Sequence, residues 1–430
     1  MPRSLMRLLA LLLAFGLVAA ACGDSDDEET SDTTEASASA SASEPAETTE
    51  APAEEADTTE APAEEEADTT EAPAEEMSGS LSELCPPNIV IQKDWNPESE
   101  HGMLYELIGK EGYEINAGAA IVSGDLVFQG EDTGVDIEIR SGGPAIGFQQ
   151  VTAQMYSDTD ITMGYVSTDE AITNAAELPT IAVVAPLEIN PQIIMWDPET
   201  YPDVQSIADL KDVEGGPAII RYFGTATYMP DLVGRGVVVE EQLDGSYDGS
   251  PAVFVAEGGA IAQQGFASAE PYIYENEVDE WGKPVAFELI HDVGLQAYAA
   301  SMALRPETFD ELSASGCLAA LVPMMQQAQI DFIEDPSNTI PLILELVEAY
   351  DNGWQYSQGV AEFSVDTQLE LGLVGNGPDD ILGNFDLDRA QGVIDTLNEI
   401  ADEVGFDIPA DLAPEAFLTN EFIDESIGLG

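Results

Sequence analysis

Basic residues are scarce in this sequence. Lys and Arg together number 11 in 430 residues, against 84 Asp and Glu, so the formal net charge is −73. Nucleic-acid binding needs a basic surface that neutralises phosphates, and this deficit excludes nucleic acid as a partner. The chain has two histidines and contains no Walker loop, nucleophile elbow, zinc-spaced His/Cys set or dinucleotide fingerprint. We therefore expect a protein that is not an enzyme and that has no catalytic residue, metal or cofactor.

Cysteine is also rare, with three residues in the whole chain. Two of them, Cys85 and Cys317, fall in the part of the sequence that is rich in apolar residues. An isolated pair in an oxidising compartment is most simply a disulfide, with two separate buried thiols as the alternative. We expect a Cys85–Cys317 disulfide.

The first 22 residues have the form of a secretory signal. Two arginines precede an apolar run over residues 8–18, which is too short for a membrane span, and small residues lead to Cys22. A cysteine directly after three alanines resembles a bacterial lipobox, which implies cleavage before Cys22 and a diacylglycerol group on its sulfur. Ordinary signal cleavage, with Cys22 incidental, is the alternative. Residues 1–22 thus predict a lipoprotein anchored by its lipid to the outer face of the cytoplasmic membrane.

Residues 23–80 are repetitive and strongly acidic. The segment repeats a unit of Thr, Glu, Ala and Pro, and it contains 21 Asp or Glu but no Lys or Arg. Such a composition buries too little apolar surface to offset the entropy of the chain. We expect a disordered, self-repelling linker that holds the rest of the protein away from the membrane.

The remaining 350 or so residues are enough for a large core divided into two lobes. This part keeps 63 of the acidic and nine of the basic residues, a net charge of −54. Strand-like and helix-like segments alternate from Asn88 onward, which predicts an α/β fold with parallel sheets covered by helices and a helical C-terminal region from Pro306. Residues 88–186 with 295–430 form the first predicted lobe, and residues 187–294 form the second.

The first strand leads into the stretch "DWNPESEHGMLYELIGKEG" over residues 94–112. Ligands of open α/β sheets settle at the carboxyl ends of strands, where loops enter helices. Asn96 is a suitable N-cap for a helix that closes at Gly112, and this helix would carry His101 and Tyr105 on one stripe. A helical stripe is ordinarily core. Because Trp95 precedes the helix, its indole, the imidazole and the phenol are instead expected to form one wall for a flat ligand.

Four later junctions between a strand and a helix supply further candidates. Small, hydroxyl-bearing or flexible residues there allow backbone N–H groups to approach a ligand, although helix capping explains the same residue types. A carboxylate in "SAEPYIYENE" can accept hydrogen bonds from a ligand's amines, or it can be satisfied locally. The candidates are Ser141 and Gly142, Ser167 and Thr168, Gly224 with Thr225 and Tyr228, and Glu270. His291, after the next strand, is expected to be a structural or hinge residue.

Taken together, "IVIQKDWNPESEHGMLYELIGKEG", "IRSGG", "GYVSTDEAI", "SIADLK", "GFASAEPYIYENE" and "LIHDVG" resemble the substrate-binding proteins of ABC importers. The most similar branch binds nitrate, sulfonate, taurine and thiamin-pyrimidine precursors. The resemblance covers residues 88–305 and implies a two-lobed, type II periplasmic-binding-protein fold. It also implies a monomer that closes on a small solute and docks to an ABC permease with its ATPase subunits. Asp94, Trp95, His101 and Tyr105 match the pattern of the pyrimidine-precursor binders.

The charge of the chain bears on the solute independently of this resemblance. A body of net charge −54 repels an approaching anion, subject to salt screening, whereas a neutral or cationic heterocycle meets no barrier. We expect a small planar nitrogenous solute that resembles a pyrimidine or thiamin precursor. Three alternatives stay open: a nitrate- or sulfonate-type anion held by backbone N–H groups at Gly142 and Thr168, a pyrimidine-synthesising enzyme on the same fold, and a surface lipoprotein without a ligand.

Overall fold

The computed structural model describes residues 80–430. The predicted signal peptide, Cys22 and all but the last residue of the predicted linker lie outside the described residues. Within residues 80–430, no helix has both the length and the apolar character needed to cross a bilayer.

The described residues form two β-sheets. The seven-stranded sheet has the order β2-β3-β4-β1-β5-β12-β6, and the five-stranded sheet has the order β11-β7-β10-β8-β9. The strands are β1 (Asn88–Gln92), β2 (Glu114–Asn116), β3 (Ile121–Phe128), β4 (Glu131–Arg140), β5 (Met163–Val166), β6 (Ile181–Val184), β7 (Gln192–Trp196), β8 (Ile220–Arg221), β9 (Leu243–Asp244), β10 (Ala262–Phe266), β11 (Ala286–Leu289) and β12 (Ser301–Leu304).

Helices cover both sheets and fill most of the C-terminal region. They are α1 (Leu81–Leu84), α2 (Gly102–Leu107), α3 (Val151–Ser157), α4 (Thr168–Thr173), α5 (Tyr228–Gly234), α6 (Ala252–Ala256), α7 (Glu270–Asn276), α8 (Pro306–Ser315), α9 (Cys317–Glu334), α10 (Ile340–Tyr350), α11 (Gln358–Glu370) and α12 (Leu387–Val404). This mixed α/β architecture is the predicted fold class.

The seven-stranded sheet is parallel at its centre and antiparallel at one edge. β1 pairs in parallel with β4 and β5, because helices connect these strands, whereas β2, β3 and β4 form an antiparallel meander. The chain leaves this sheet after β6 and returns as β12, which lies antiparallel between β5 and β6. Two crossing segments, residues 185–191 and 290–300, therefore join the two sheets.

The core of the first sheet follows from the periodicity of its strands. Val135, Ile137 and Ile139 are buried along β4 while the residues between them are more exposed, as expected for a strand with one face on the core. On the other face of the core, α2 packs against α9, and a Cβ on Gly102 would overlap the ring of Phe332. Glycine is required there because the two helices approach so closely.

A disulfide joins Cys85 to Cys317, as the sequence predicts, with their Cα atoms 4.8 Å apart. It connects the segment just before β1 to the first residue of α9, across 232 positions of sequence. The C-terminal helices are thereby tied to the strand that leads into the cleft.

The helix predicted to follow β1 begins later than expected. Asn96 does not cap it: its side-chain oxygen accepts from Asn352 Nδ2 at 2.6 Å, and α2 begins at Gly102 after one turn of 3-10 helix. The backbone of Asp94 and Trp95 is held instead by bonds from the turn after β4, which keeps this stretch out of a helix.

The apolar run "AVFVA" over residues 252–256 predicts a short strand, but in the structure it is helix α6. Only Phe254 of this segment is fully buried, against the rings of Tyr274 and Trp281. Val253 beside it is exposed. One turn of helix is therefore enough to bury the single side chain that packs in the core. Residues 113–134 contain β2, β3 and the start of β4.

Candidate functional site

A cleft lies between the two sheets, with a cavity volume of about 250 Å³. This is slightly below the range of about 300–1,000 Å³ that is typical of drug-sized ligands, so it suits a small molecule. Its lining comes from the loops that follow β1, β5, β8 and β10. The cleft thus occupies the carboxyl ends of strands in both sheets, where ligands of α/β folds bind.

Five aromatic residues form one side of the cleft, which we call the aromatic wall: Trp95, Phe148, Phe223, Tyr247 and Trp354. The Trp95 ring lies at its centre, 5.3 Å from the Phe223 ring and 5.9 Å from those of Phe148 and Trp354, measured between centroids. The Tyr247 ring extends the wall at 4.9 Å from Phe223. Phe148 is 41% exposed, so this wall opens to solvent at one edge.

Glycines hold Trp95 in place from both sides. The Gly142 N–H donates to the Trp95 carbonyl oxygen at 2.9 Å, and the Gly143 N–H donates to that of Asp94 at 2.8 Å. A Cβ on Gly143 would lie 2.6 Å from Trp95 Cε3, and one on Gly249 would lie 3.3 Å from Cζ2. Any larger residue at position 143 would push the indole out of its place.

Carboxylates also line the cleft, and none of the residues that line it is Lys or Arg. We call this set the carboxylate cluster: Asp94, Glu98, Asp169, Glu170 and Glu270. Glu170 accepts from Thr152 Oγ1 at 2.7 Å, and Glu270 accepts from the Phe266 N–H at 2.6 Å. Burial raises the pKa of each of these two glutamates to about 7.

Asp94 differs from the other carboxylates because it has a histidine behind it. Burial pushes its pKa upward, but the hydrogen bond from His101 and the nearby charge of Lys93 together outweigh this and leave the pKa below its usual value. His101 Nε2 lies 2.8 Å from Asp94 Oδ1, and Lys93 Nζ lies 3.3 Å from His101 Nδ1. Burial lowers the pKa of His101 to about 4, so the neutral ring accepts from Lys93 and donates to Asp94.

Two hydrogen bonds cross the cleft and join the lobes. Thr227, just before α5, donates its hydroxyl to Asp169 Oδ2, and Ser268, after β10, donates to Glu100 Oε1. Asp169 and Glu100 follow strands of the first sheet, whereas Thr227 and Ser268 follow strands of the second. The structure therefore shows the two lobes in contact around the cavity.

The structure brings half of the sequence-predicted site residues to the cleft. Those in its lining are Asp94, Trp95, Ser167, Thr225, Tyr228 and Glu270. The others lie behind it: His101 supports Asp94, Tyr105 is fully buried in the core, and Thr168 Oγ1 accepts from the Tyr298 N–H at 3.0 Å. Ser141 is buried next to Gly142, and Gly224 packs against the backbone of Gly245.

Sequence reasoning missed most of the aromatic wall and part of the carboxylate cluster. Phe223 and Asp169 are neighbours of residues that were singled out, so reading each junction as a whole loop would have found them. Trp354 and Tyr247 follow no strand of the first sheet and carry no local signal. They reach the cleft only through the tertiary packing of the C-terminal region and the second lobe.

No family model and no curated protein matches this chain. Solved structures do resemble it. A protein from Bordetella bronchiseptica is 15% identical over 78% of this chain and 96% of its own, with a TM-score of 0.51. This likeness is one of fold alone, and the shared fold is a mixed α/β architecture with two sheets and surrounding helices.

Two weaker likenesses carry the names of sulfonate binders. A putative sulfonate ABC transporter periplasmic sulfonate-binding protein from Methylobacillus flagellatus is 14% identical over 78% of this chain and 92% of its own, with a TM-score of 0.45. An alkanesulfonate-binding protein from Xanthomonas axonopodis pv. citri, bound to MOPS, is 12% identical over 66% and 84% of the two chains, with a TM-score of 0.42. Likenesses of this strength carry no argument about the ligand of this chain.

Proposed function

We propose that this protein is the extracytoplasmic solute-binding component of an ABC importer and that it captures a small planar nitrogenous solute of the pyrimidine or thiamin-precursor kind. The observation that carries the proposal is the cleft itself. It lies between the two sheets, it is of small-molecule size, and both an aromatic wall and carboxylates line it. Ring faces stack on a flat heterocycle, and carboxylates accept from its N–H groups.

Closure of the lobes would change the surface of such a protein, so that a permease can distinguish the closed form from the open form. A solute that contacts both lobes favours the closed form, because only a difference in binding free energy between open and closed forms shifts the equilibrium. Trp95 from the first lobe and Phe223 from the second both face the cavity. A ring placed against them would join the lobes, and the closed form would then dock to the permease while the predicted lipid on Cys22 keeps the protein at the membrane.

The same fold also suits an anion, which is the second candidate function. The sequence assigned anion binding to backbone N–H groups at Gly142 and Thr168. In the structure these N–H groups donate to the carbonyl oxygens of Trp95 and Tyr298, at 2.9 Å each. Both donors are occupied, and the lining is acidic, so the geometry favours the nitrogenous solute.

Native mass spectrometry of freshly purified protein tests the function directly. We expect a small compound to co-purify at one copy per chain and to be recovered unchanged after denaturation. Recovery of a chemically altered compound after incubation would indicate an enzyme. If no compound co-purifies and no candidate solute shifts the melting temperature, the protein is a surface lipoprotein without a ligand, and the proposal is wrong.

A further inference from the structure

The lining of the cleft contains acidic residues but no basic ones, and the proposed function does not explain this. A planar nitrogenous solute of zero charge needs one or two acceptors, yet the carboxylate cluster brings five acidic side chains to one small cavity. Two buried cations lie beside the lining but are not part of it: Lys93 Nζ donates to the Asn96 carbonyl oxygen at 3.0 Å, and Arg221 donates to the Ser246 carbonyl oxygen at 2.7 Å. Burial and mutual repulsion raise the pKa values of four of the five carboxylates in the free protein, namely Glu98, Asp169, Glu170 and Glu270. An occupant that carries positive charge favours their ionised forms.

Asp169 shows where such a charge would lie. Its side chain is more than nine-tenths buried, at 8% exposure, and it faces the cavity from the start of α4. One carboxylate oxygen accepts from Thr227, but within residues 80–430 no donor reaches the other, Oδ1. Buried polar atoms are almost always hydrogen-bonded, and a buried acceptor without a donor is costly. An N–H group of a bound solute would satisfy it.

The aromatic wall also favours a solute that carries positive charge. The faces of tryptophan, tyrosine and phenylalanine rings carry negative electrostatic potential and attract a cation, most strongly for tryptophan. Trp95 and Trp354 contribute two indoles to this cavity. Indoles and carboxylates that line the same cavity form a site in which both kinds of group attract positive charge.

We propose that the cleft takes its solute as an organic cation, in which an amidinium or protonated amino group donates to Asp169 and Glu270 while its flat ring lies against Trp95 and Phe223. This inference rests on the proposed solute-binding function and adds the charge of the solute to it. It distinguishes this cleft from one built for an anion or for a neutral ring.

Three probes of nearly equal shape test the charge directly: benzamidine, benzamide and benzoate, which carry positive, zero and negative charge on the same ring. Titration calorimetry and thermal shift with the whole mature chain should show benzamidine binding at least about tenfold more tightly than benzamide, with no detectable binding of benzoate. Equal or tighter binding of benzamide or benzoate would overturn the inference. So would failure of benzamidine to bind.

Two isosteric variants locate the charge. Asp169→Asn and Glu270→Gln should each weaken benzamidine binding by about tenfold, and benzamide binding by much less. Asp402→Asn, on the exposed face of α12, makes the same change of net charge far from the cleft and should have no effect. If all three variants weaken benzamidine binding equally, the effect comes from net charge alone and the proposed contact is wrong. Far-UV circular dichroism and melting temperatures show whether each variant is folded.

The same experiments separate this inference from the proposed function. A neutral or anionic compound that co-purifies with the protein would overturn the cationic solute and leave solute binding intact. Absence of any co-purified compound, together with no response to the three probes, would overturn both.

Discussion

Trp95 contacts rings from three parts of the chain, and the aromatic wall depends on it. Phe148 precedes α3, Phe223 follows β8 in the second lobe, and Trp354 belongs to the C-terminal region. These three rings surround the Trp95 indole, and those of Phe148 and Phe223 also contact each other, at 5.8 Å between centroids. Trp95 therefore contacts every one of these parts of the chain at the cleft.

Replacement of Trp95 by alanine should weaken solute binding by about 1–3 kcal/mol, because the ring loses both buried area and stacking. The measurement is calorimetry with the co-purified compound, and with benzamidine as a second ligand. Trp95→Phe keeps a ring and should lose less than half of this free energy. Unaltered affinity in the alanine variant would show that Trp95 is scaffold only.

The raised pKa values of Glu170 and Glu270 make cation binding depend on pH. Burial raises each pKa to about 7, so both groups are partly protonated near neutrality in the free protein. The charged groups around them are also acidic: Asp94 and Asp169 near Glu170, and Glu100 near Glu270. A bound cation would favour the ionised forms and release protons.

Affinity for benzamidine should therefore rise as the pH increases from about 5.5 to 8, while affinity for benzamide stays flat. Titration in buffers of different ionisation enthalpy would measure the protons released. The free energy of unfolding of the free protein should fall over the same change of pH. A glutamate whose pKa is raised in the folded state stabilises the fold less as the pH rises from the pKa of its unfolded state toward 7. An affinity for benzamidine that does not change with pH would contradict this assignment of charge.

At the scale of elements, the site depends on how two loops meet. The turn after β4 packs its backbone onto the loop after β1, and its N–H groups hold the carbonyls of Asp94 and Trp95. A Cβ on Gly142 would overlap the backbone of Asp94. This contact explains why the stretch just after Asp94 is not α-helical although its sequence resembles a helix start.

Gly142→Ala should thus displace Asp94 and Trp95 together, lower the melting temperature and abolish benzamidine binding, with a stability loss of about 2–3 kcal/mol from overpacking. Gly392→Ala is the matched control, because that glycine lies on the exposed face of α12 with open space around it. The control should be neutral or slightly stabilising, by up to about 1 kcal/mol. Equal stability of Gly142→Ala and the wild type would contradict the close approach described here.

At the scale of the whole molecule, the disulfide constrains the first lobe. It closes a loop of 232 positions between Cys85 and Cys317, far from the lining of the cleft. Replacement of both cysteines by alanine should lower the free energy of unfolding by about 3–5 kcal/mol, chiefly because the unfolded chain gains freedom. Urea unfolding measures the loss, and benzamidine affinity should not change while the variant is folded. Reduction of the wild-type protein should reproduce the same shift.

Arg389, on α12, ties together the two segments that cross between the lobes. Its guanidinium donates to Glu188 Oε1 at 2.8 Å and to the carbonyl oxygen of Gln296 at 2.6 Å, and it lies 3.8 Å from the centroid of the Tyr298 ring. Glu188 belongs to the first crossing segment, and the other two residues belong to the second. A single planar donor thereby sets the distance between the segments about which the lobes would hinge.

Arg389→Met keeps the apolar part of the side chain and removes the guanidinium. The free energy of unfolding should fall by about 2–4 kcal/mol, because the Glu188 carboxylate loses its partner. Small-angle scattering should show a wider distribution of lobe separations than in the wild type. A loss below about 0.5 kcal/mol with unchanged scattering would mean that the crossing segments are held by other contacts.

Local sequence signals predicted most of the strands and the long helices correctly. The buried strands β1, β5, β6 and β7 are short apolar runs bounded by turn residues, and α12 repeats its apolar residues at helical spacing. Predictions of element boundaries were wrong where tertiary contacts override local preference, as at the late start of α2. The prediction of a strand at "AVFVA" was wrong because a five-residue apolar run has the same pattern in a strand and in one turn of helix.

By itself, the sequence determined the alternation of strands and helices, the acidic character of the chain and the single pairing open to Cys85 and Cys317, because these depend on composition, periodicity and count. Only the tertiary structure decided that Tyr105 lies in the core, that Trp354 reaches the cleft, and that Asp169 faces the cavity with an oxygen that lacks a donor. Those outcomes depend on which loops meet across the two lobes. Spacing along the chain carries no information about contacts between residues that are hundreds of positions apart.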